Sequence, residues 1–204
     1  GNVGRALGTV FAELGHTIVY GSSSPMSLKT LDLVAWTVGV DTWAALPAAA
    51  AAAAVIGILG VAGMVSETVA GGLGDLSGKL IVDATNPLRR KGEGNVLQFE
   101  YGVDTSVGQI VQALHPDARV VKAFNTITWQ KMIDPGRPRP VMPLAGNDAS
   151  AKARVAGWAD DMGIDTIDIG GIEHSRVTEH LVVLMLNNRF SDGPKYEIDF
   201  RKVD

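Results

Sequence analysis

The sequence predicts an α/β fold built on a doubly wound, mostly parallel sheet. Three features point there. Gly1 and Gly4 stand at the head of a helical segment that runs straight into the β-branched run Thr17-Ile18-Val19-Tyr20, the succession of turn, helix and strand that such sheets contain. Val55-Ile56-Gly57-Ile58-Leu59-Gly60-Val61 is uncharged and β-branched, as a strand covered on both faces must be. Small and polar residues gather where the strands end, at Gly21-Ser22, Gly60-Val61 and Thr85-Asn86, and open α/β sheets bind ligands at that edge.

Composition bounds the rest. A chain of 204 residues, 46% hydrophobic and 20% charged, buries a sizeable core and suits one large domain or one domain with a small appendage. A net charge of −4 without a basic stripe argues against nucleic acid as a partner. With no cysteine there is no disulfide framework and no thiolate chemistry, which is compatible with the cytoplasm, the expected location. Residues 46–65 carry no charge and reach membrane-helix length. However, the alanines of 48–54 form helix readily with little lipid affinity, and 55–61 reads as a strand, so no membrane span is expected.

Taken in order, the first helix begins at about Val3 and closes at Leu14-Gly15-His16, Gly15 suiting a left-handed cap. The strand of residues 17–20 ends on Gly21. Residues 25–35 read as a helix with Pro25 in its first turn and Met26, Leu28, Leu31, Leu33 and Val34 as its apolar set. A short third strand is expected at Thr37-Val38-Gly39-Val40, then the alanine helix and the strand of 55–61. A helix over 64–73 leads to a strand over 79–84, which ends in Thr85-Asn86-Pro87-Leu88. Arg89-Arg90-Lys91-Gly92-Glu93-Gly94 reads as a basic loop. Asp104-Thr105-Ser106 caps a helix through Leu114, with His115 at its end, and 119–127 form a strand and loop. Residues 141–190 read as strand, helix (149–162), strand (166–169) and helix (175–189). The alternating tail of 195–201 predicts an edge strand available to a partner subunit. The sheet also needs a strand leading into Gly1, expected ahead of the given sequence.

The turn Gly1-Asn2-Val3-Gly4 matches the last two glycines of a GxGxxG pattern. Such glycines let the backbone approach a pyrophosphate while the helix offers free N–H groups and its positive end. Sheets that select NAD place a carboxylate about twenty positions on, where this chain has Ser22, Ser23 and Ser24. Hydroxyls there accept a 2′-phosphate, which favours NADP(H). Lys29 on the next helix serves that phosphate or is simply solvated. Gly60 marks either close approach of a dinucleotide or tight helix-on-strand packing. Asp83, Thr85 and Asn86 orient a nicotinamide amide or cap their loop. Glu173, His174 and Arg176 line a pocket or cap a helix, and His174 and His180 fall on different helix faces, so no metal site follows.

Gly1-Asn2-Val3-Gly4, Tyr20-Gly21-Ser22, Val82-Asp83-Ala84-Thr85-Asn86-Pro87-Leu88, Val120-Val121-Lys122-Ala123-Phe124-Asn125-Thr126-Ile127 and Pro143-Leu144-Ala145-Gly146-Asn147-Asp148, in this order and spacing, resemble the NADPH-dependent deazaflavin-coenzyme (F-420) reductase family. The oxidoreductase domain of membrane ferric reductases is a relative. The resemblance covers nearly the whole chain to about Phe190, its most specific part being Lys122-Ala123-Phe124-Asn125-Thr126. It implies a Rossmann-type sheet in which Asn2, Val3 and Gly4 hold the pyrophosphate and Ser22 and Ser23 the 2′-phosphate. It places Val61 and Ala62 on the ribose and nicotinamide side, and Asn86, Pro87, Asn125 and Thr126 where donor and acceptor rings meet. Where the family commonly has arginine after the first serine, this chain has Ser23, so Arg5 or Lys29 would have to supply the charge.

The expected division is a dinucleotide-binding part over residues 1–126 and a smaller α/β part over 127–204 that shapes the acceptor pocket and makes homodimer contacts. Hydride transfer needs no side-chain nucleophile, only an acceptor ring held about 3 to 3.5 Å from the nicotinamide in a water-poor cleft. No catalytic acid or base is therefore assigned, and the acceptor is expected to be a deazaflavin (coenzyme F-420) or a flavin. An NADP-binding sensor without turnover and an imine or keto reductase on the same fold are the alternatives.

Overall fold

The computed structural model describes residues 1–37, 40–61, 66–91, 96–190, 198, 200 and 202–203, without the side chains of 89–91, 96–99 and 188–190. Helix α1 (Asn2–Glu13) buries Ala6, Leu7, Val10 and Phe11, spaced as one helix face. Gly15 closes it at φ +86°. Strand β1 (Ile18–Gly21) then runs parallel to β2 (Thr42–Ala45), with α2 (Leu28–Trp36) between them in sequence.

Two expectations need correction here. Helix α2 starts at Leu28 rather than in the turn at Pro25, because the Ser27 hydroxyl accepts the free N–H of Thr30 at 3.3 Å and a serine N-cap sets the boundary. The strand expected at 37–40 lies instead at Thr42–Ala45. Thr37 is taken as the C-cap of α2, its hydroxyl bonded to the Leu33 carbonyl and to Tyr20 Oη; Val38 and Gly39 lie outside the described residues.

The alanine run forms α3 (Pro47–Ala53), and Lys79 Nζ caps its carboxyl end through the carbonyls of Ala51, Ala52 and Ala54, where a cation suits the helix dipole. Next come β3 (Ile56–Leu59), α4 (Ser66–Gly71) and β4 (Leu80–Asp83). The basic segment read as a loop begins as β5 (Leu88–Lys91), paired antiparallel with β6 (Val96–Phe99) in a separate hairpin. Its charged register masked the strand pattern. The remainder is α5 (Val107–Leu114), β7 (Arg119–Lys122), α6 (Trp129–Ile133), β8 (Val141–Gly146), α7 (Ala149–Asp161), β9 (Asp165–Asp168), a 3₁₀ turn (Ile172–His174) and α8 (Ser175–Phe190). Of the predicted tail strand, 195–197, 199 and 201 lie outside the described residues, while the Phe200 carbonyl accepts Val141 N–H at 3.1 Å.

The main sheet has the order β3-β4-β7-β8-β9, parallel except that β8 runs antiparallel to β7. Strands β1 and β2 form a sheet of their own, not bonded to β3. Leu7, Phe11, Val82, Val121, Phe124, Met142, Leu144 and Trp158 belong to one buried cluster, so residues before and after 126 share a core. A second cluster lies around Leu76, Ile81, Val107, Val111 and Val120. Each large apolar side chain so buried contributes about 1.5–3 kcal/mol. Among the described residues no helix is long and apolar enough to cross a membrane.

Candidate functional site

Helix α1 opens on Gly1 with no side chain capping it, and its first N–H to find a carbonyl is that of Arg5, bonded to Gly1 O at 3.0 Å. The N–H groups of Asn2, Val3 and Gly4 therefore have no partner within the helix. Gly1 and Asn2 are exposed. Gly60, one residue past β3, lies against this turn: a Cβ on it would sit 3.6 Å from both Gly4 Cα and Gly4 N and 3.8 Å from Val3 Cγ1. The absence of that side chain leaves an open cradle over the amide of Gly4. The helix thus packs closely on the strand end, as the packing explanation of Gly60 requires, and the space left open lies beside the N–H of Gly4. Val61 is half-buried next to it, and Ala62 lies outside the described residues.

At the end of β1, the Ser22 hydroxyl meets Thr30 Oγ1 at 3.1 Å and accepts the N–H of Ser24 at 3.1 Å. Thr30 in turn bonds Ser27 Oγ and the Ser24 carbonyl, so the loop is held by hydroxyls with Ser23 and Ser24 exposed. The Arg5 guanidinium lies 4.0 Å over the ring of Trp36, itself 61% exposed. Lys29 is exposed on α2. Tyr20 packs between α1 and α2: a Cβ on Gly8 would overlap its hydroxyl. Burial raises its phenol pKa, against the Thr37 hydrogen bond and the Arg5 charge.

Strands β3, β4 and β7 end in register, Leu59 beside Asp83 and Asp83 beside Lys122. Gly60, Thr85 and Asn125 therefore follow one carboxyl edge, about 10 Å from first to last strand at two strand spacings. After β7, Phe124 takes a left-handed φ of +63°, a strain of about 1–3 kcal/mol for a residue with a side chain, held by its buried ring and an N–H contact to Met142 Sδ. The chain so turned brings Asn125 back to Asn86. Asn86 Nδ2 donates to the Asn125 carbonyl at 3.0 Å, and Asn125 Nδ2 donates to Asn86 Oδ1 at 3.1 Å. Asn125 Oδ1 and Thr126 Oγ1 are buried with no hydrogen-bond partner. Unpaired buried polar atoms are costly and rare.

Beneath these loops lies a charge cluster that spacing did not reveal. Lys122, fully buried, donates to Asp83 Oδ2 at 2.9 Å, Glu179 Oε1 at 2.6 Å and the Thr85 carbonyl at 2.7 Å. Asp83 Oδ1 accepts the N–H and hydroxyl of Thr85. Glu179 on α8 accepts the N–H groups of Val107 and Gly108 in the first turn of α5. Burial raises the Glu179 carboxyl pKa and Asp83 adds to the effect, while Lys122 opposes it. The available signal was a lysine directly after the buried valines of β7. The helix-end reading of His115 holds: it is the C-cap of α5, its ring bonded to the Ala70 carbonyl. Glu173 and His174 form the 3₁₀ turn before α8, 3.3 Å apart. Two cavities, of about 300 Å³ around Asp75, Ser77 and His115 and about 620 Å³ around Gln112, Arg119 and Asn147, lie away from this edge at the amino ends of β4 and β7. Among the described residues no cluster of side chains could hold a metal ion.

A bare helix N-terminus, a hydroxyl loop after the next strand and polar strand ends on one edge of a doubly wound sheet define a dinucleotide-binding oxidoreductase fold. The family described as NADP oxidoreductase, coenzyme F420-dependent, matches residues 1–87. A crystal structure of a proposed F420-dependent NADP-reductase from Arthrobacter sp. FB24 superposes with a TM-score of 0.84 at 30% identity, covering 92% of this chain and 89% of that one. The chain belongs to this family. It is also 29% identical over 114 residues to the F420-dependent NADP reductase of Methanocaldococcus jannaschii, covering 55% of this chain and 51% of that protein. To the metalloreductase STEAP3 of Rattus norvegicus it is 30% identical over 112 residues, 54% of this chain and 21% of that protein. The chain thus spans about half of the first curated relative and a fifth of the second.

Proposed function

We propose that this chain binds NADP(H) along the carboxyl edge of its sheet and serves hydride transfer between the nicotinamide and a deazaflavin (F420) or flavin acceptor. The observation that carries the reading is the pair of orphaned atoms, Asn125 Oδ1 and Thr126 Oγ1, on the same edge as the cradle over Gly4. Each residue present fits the cofactor. Asn2, Val3 and Gly4 offer free N–H groups to the pyrophosphate at the turn that Gly1 opens, and Gly60 leaves room for it. Ser22, Ser23 and Ser24 present hydroxyls and no carboxylate to a 2′-phosphate, with Arg5 the cation nearest the turn in sequence. Val61 flanks the ribose side. Thr85, Asn86, Pro87, Asn125 and Thr126 border the nicotinamide, whose carboxamide has N–H donors for orphaned oxygens.

NADP(H), when bound, supplies or takes up the hydride. The task of the chain is to hold the rings in register and keep water away, and for that no nucleophile or proton donor is required. Residues 1–126 do the nucleotide binding in this reading. Residues 127–204 shape the acceptor side and make contacts between subunits of a homodimer. The test is titration with NADPH and NADH, followed by steady-state NADPH oxidation with F420 and with FMN. Tighter binding of NADPH and turnover with either acceptor support the reading. Binding without turnover points to a sensor or to an imine or keto reductase instead, and no binding at all overturns it.

A further inference from the structure

We infer that Lys122 is a positioning residue that sets the geometry of the nicotinamide edge through the Thr85 carbonyl. The inference rests on the proposed function for its chemistry but on separate atoms for its mechanism. An ammonium group has three N–H donors, and at Lys122 they meet three acceptors: Asp83 Oδ2, Glu179 Oε1 and Thr85 O. The first two are anionic and buried, so they hold Nζ in one place. The third belongs to the backbone directly before Asn86. Asp83 grips the same residue through Thr85 N and Oγ1, at 2.9 and 2.7 Å. Thr85 is thus clamped at its amide, hydroxyl and carbonyl, all inside the protein. From this clamp the chain leads into the reciprocal amide pair of Asn86 and Asn125, and Lys122 itself precedes the left-handed turn at Phe124.

Both loops of the pair therefore spring from the two residues of one buried ion pair in register across β4 and β7. Glu179 extends the clamp to α8 and to the first turn of α5. The arrangement is costly for stability alone, because replacing a buried ion pair with packed apolar residues is often neutral or stabilising. Its gain is a fixed loop at the place where a ring must sit to within a fraction of an ångström.

The test compares wild type, Lys122→Met and Glu179→Gln by three readouts. The first is binding of 2′,5′-ADP, which needs only the turn and the serine loop. The second is single-turnover hydride transfer from NADPH to F420 and to FMN. The third is the side-chain amide NMR signals of Asn86 and Asn125. A positioning role predicts a fall of about tenfold or more in hydride transfer for Lys122→Met, with 2′,5′-ADP affinity held within about twofold, and displaced amide signals. If Lys122→Met does not fold, Glu179→Gln decides. It keeps the lysine and its other two acceptors, and shifted Asn86 and Asn125 amides with a slower transfer and unchanged 2′,5′-ADP binding support the clamp. Unmoved amide signals in every variant that folds, or a wild-type transfer rate in Lys122→Met, overturn it. Failure of wild type to bind 2′,5′-ADP or to turn over refutes the proposed function instead, while the amide signals still judge the clamp.

Discussion

Gly60→Ala separates folding from binding more cleanly than any other substitution at the turn. The added methyl would lie 3.6 Å from Gly4 Cα and Gly4 N and 3.8 Å from Val3 Cγ1, all ordinary van der Waals contacts. Nothing in the protein has to move, so the stability change is expected to stay within about 0.5 kcal/mol. The methyl nevertheless covers the amide of Gly4, one of the three N–H groups left free at the head of α1. A hydrogen bond from such a group to a charged phosphate oxygen is worth about 1.5–3 kcal/mol, so losing one weakens NADPH about 10- to 150-fold at 1.4 kcal/mol per decade. The assay is NADPH dissociation by fluorescence titration beside a urea melt of the apoprotein. An unchanged dissociation constant in a protein of unchanged stability would show that the phosphate lies elsewhere. A variant that binds poorly only because it is unfolded would show that Gly60 serves packing alone.

Three further outcomes follow from the same geometry. Ser23→Asp puts a carboxylate into the exposed hydroxyl loop and is expected to weaken NADPH by about tenfold or more while leaving NADH within about threefold, read as the ratio of dissociation constants. Ser27→Ala removes the cap of α2 and one hydroxyl held by Thr30, at about 1 kcal/mol of stability measured by denaturant midpoint. Glu179 has a carboxyl pKa raised above its ordinary 4.5, chiefly by burial. Its stability contribution is therefore complete below that ordinary value and is lost as pH rises through the raised one. Melting temperature against pH should fall across that window in wild type and stay flatter in Glu179→Gln; identical slopes would contradict the assignment.

What could be read along the chain was what depends on neighbours in the chain. The helix between Gly1 and Gly15, the apolar run before Gly60 and the strand ending at Asp83 declare themselves by period, cap and apolar content, and the structure has them within a residue or two, although of β3 only Leu59 is buried. The serine loop was likewise visible by its place after β1. Thr42–Ala45 was missed because its partner β1 and not its composition makes it a strand. The hairpin of β5 and β6 was missed because Leu88-Arg89-Arg90-Lys91 has no alternation of apolar and polar residues and pairs only within a separate two-stranded sheet. The clamp is the clearest case: Asp83 and Lys122 are 39 positions apart and Glu179 bonds Val107 across 72, so only the folded sheet brings them together. Even so, the lysine left a trace. A charge directly after the buried valines of a strand must find an opposite charge inside the protein or forgo burial, and the neighbouring strand offers one acid, Asp83, at the same register. One cation between two buried carboxylates is therefore the requirement that links the carboxyl edge of the sheet to α8, a connection that no local pattern of residues carries.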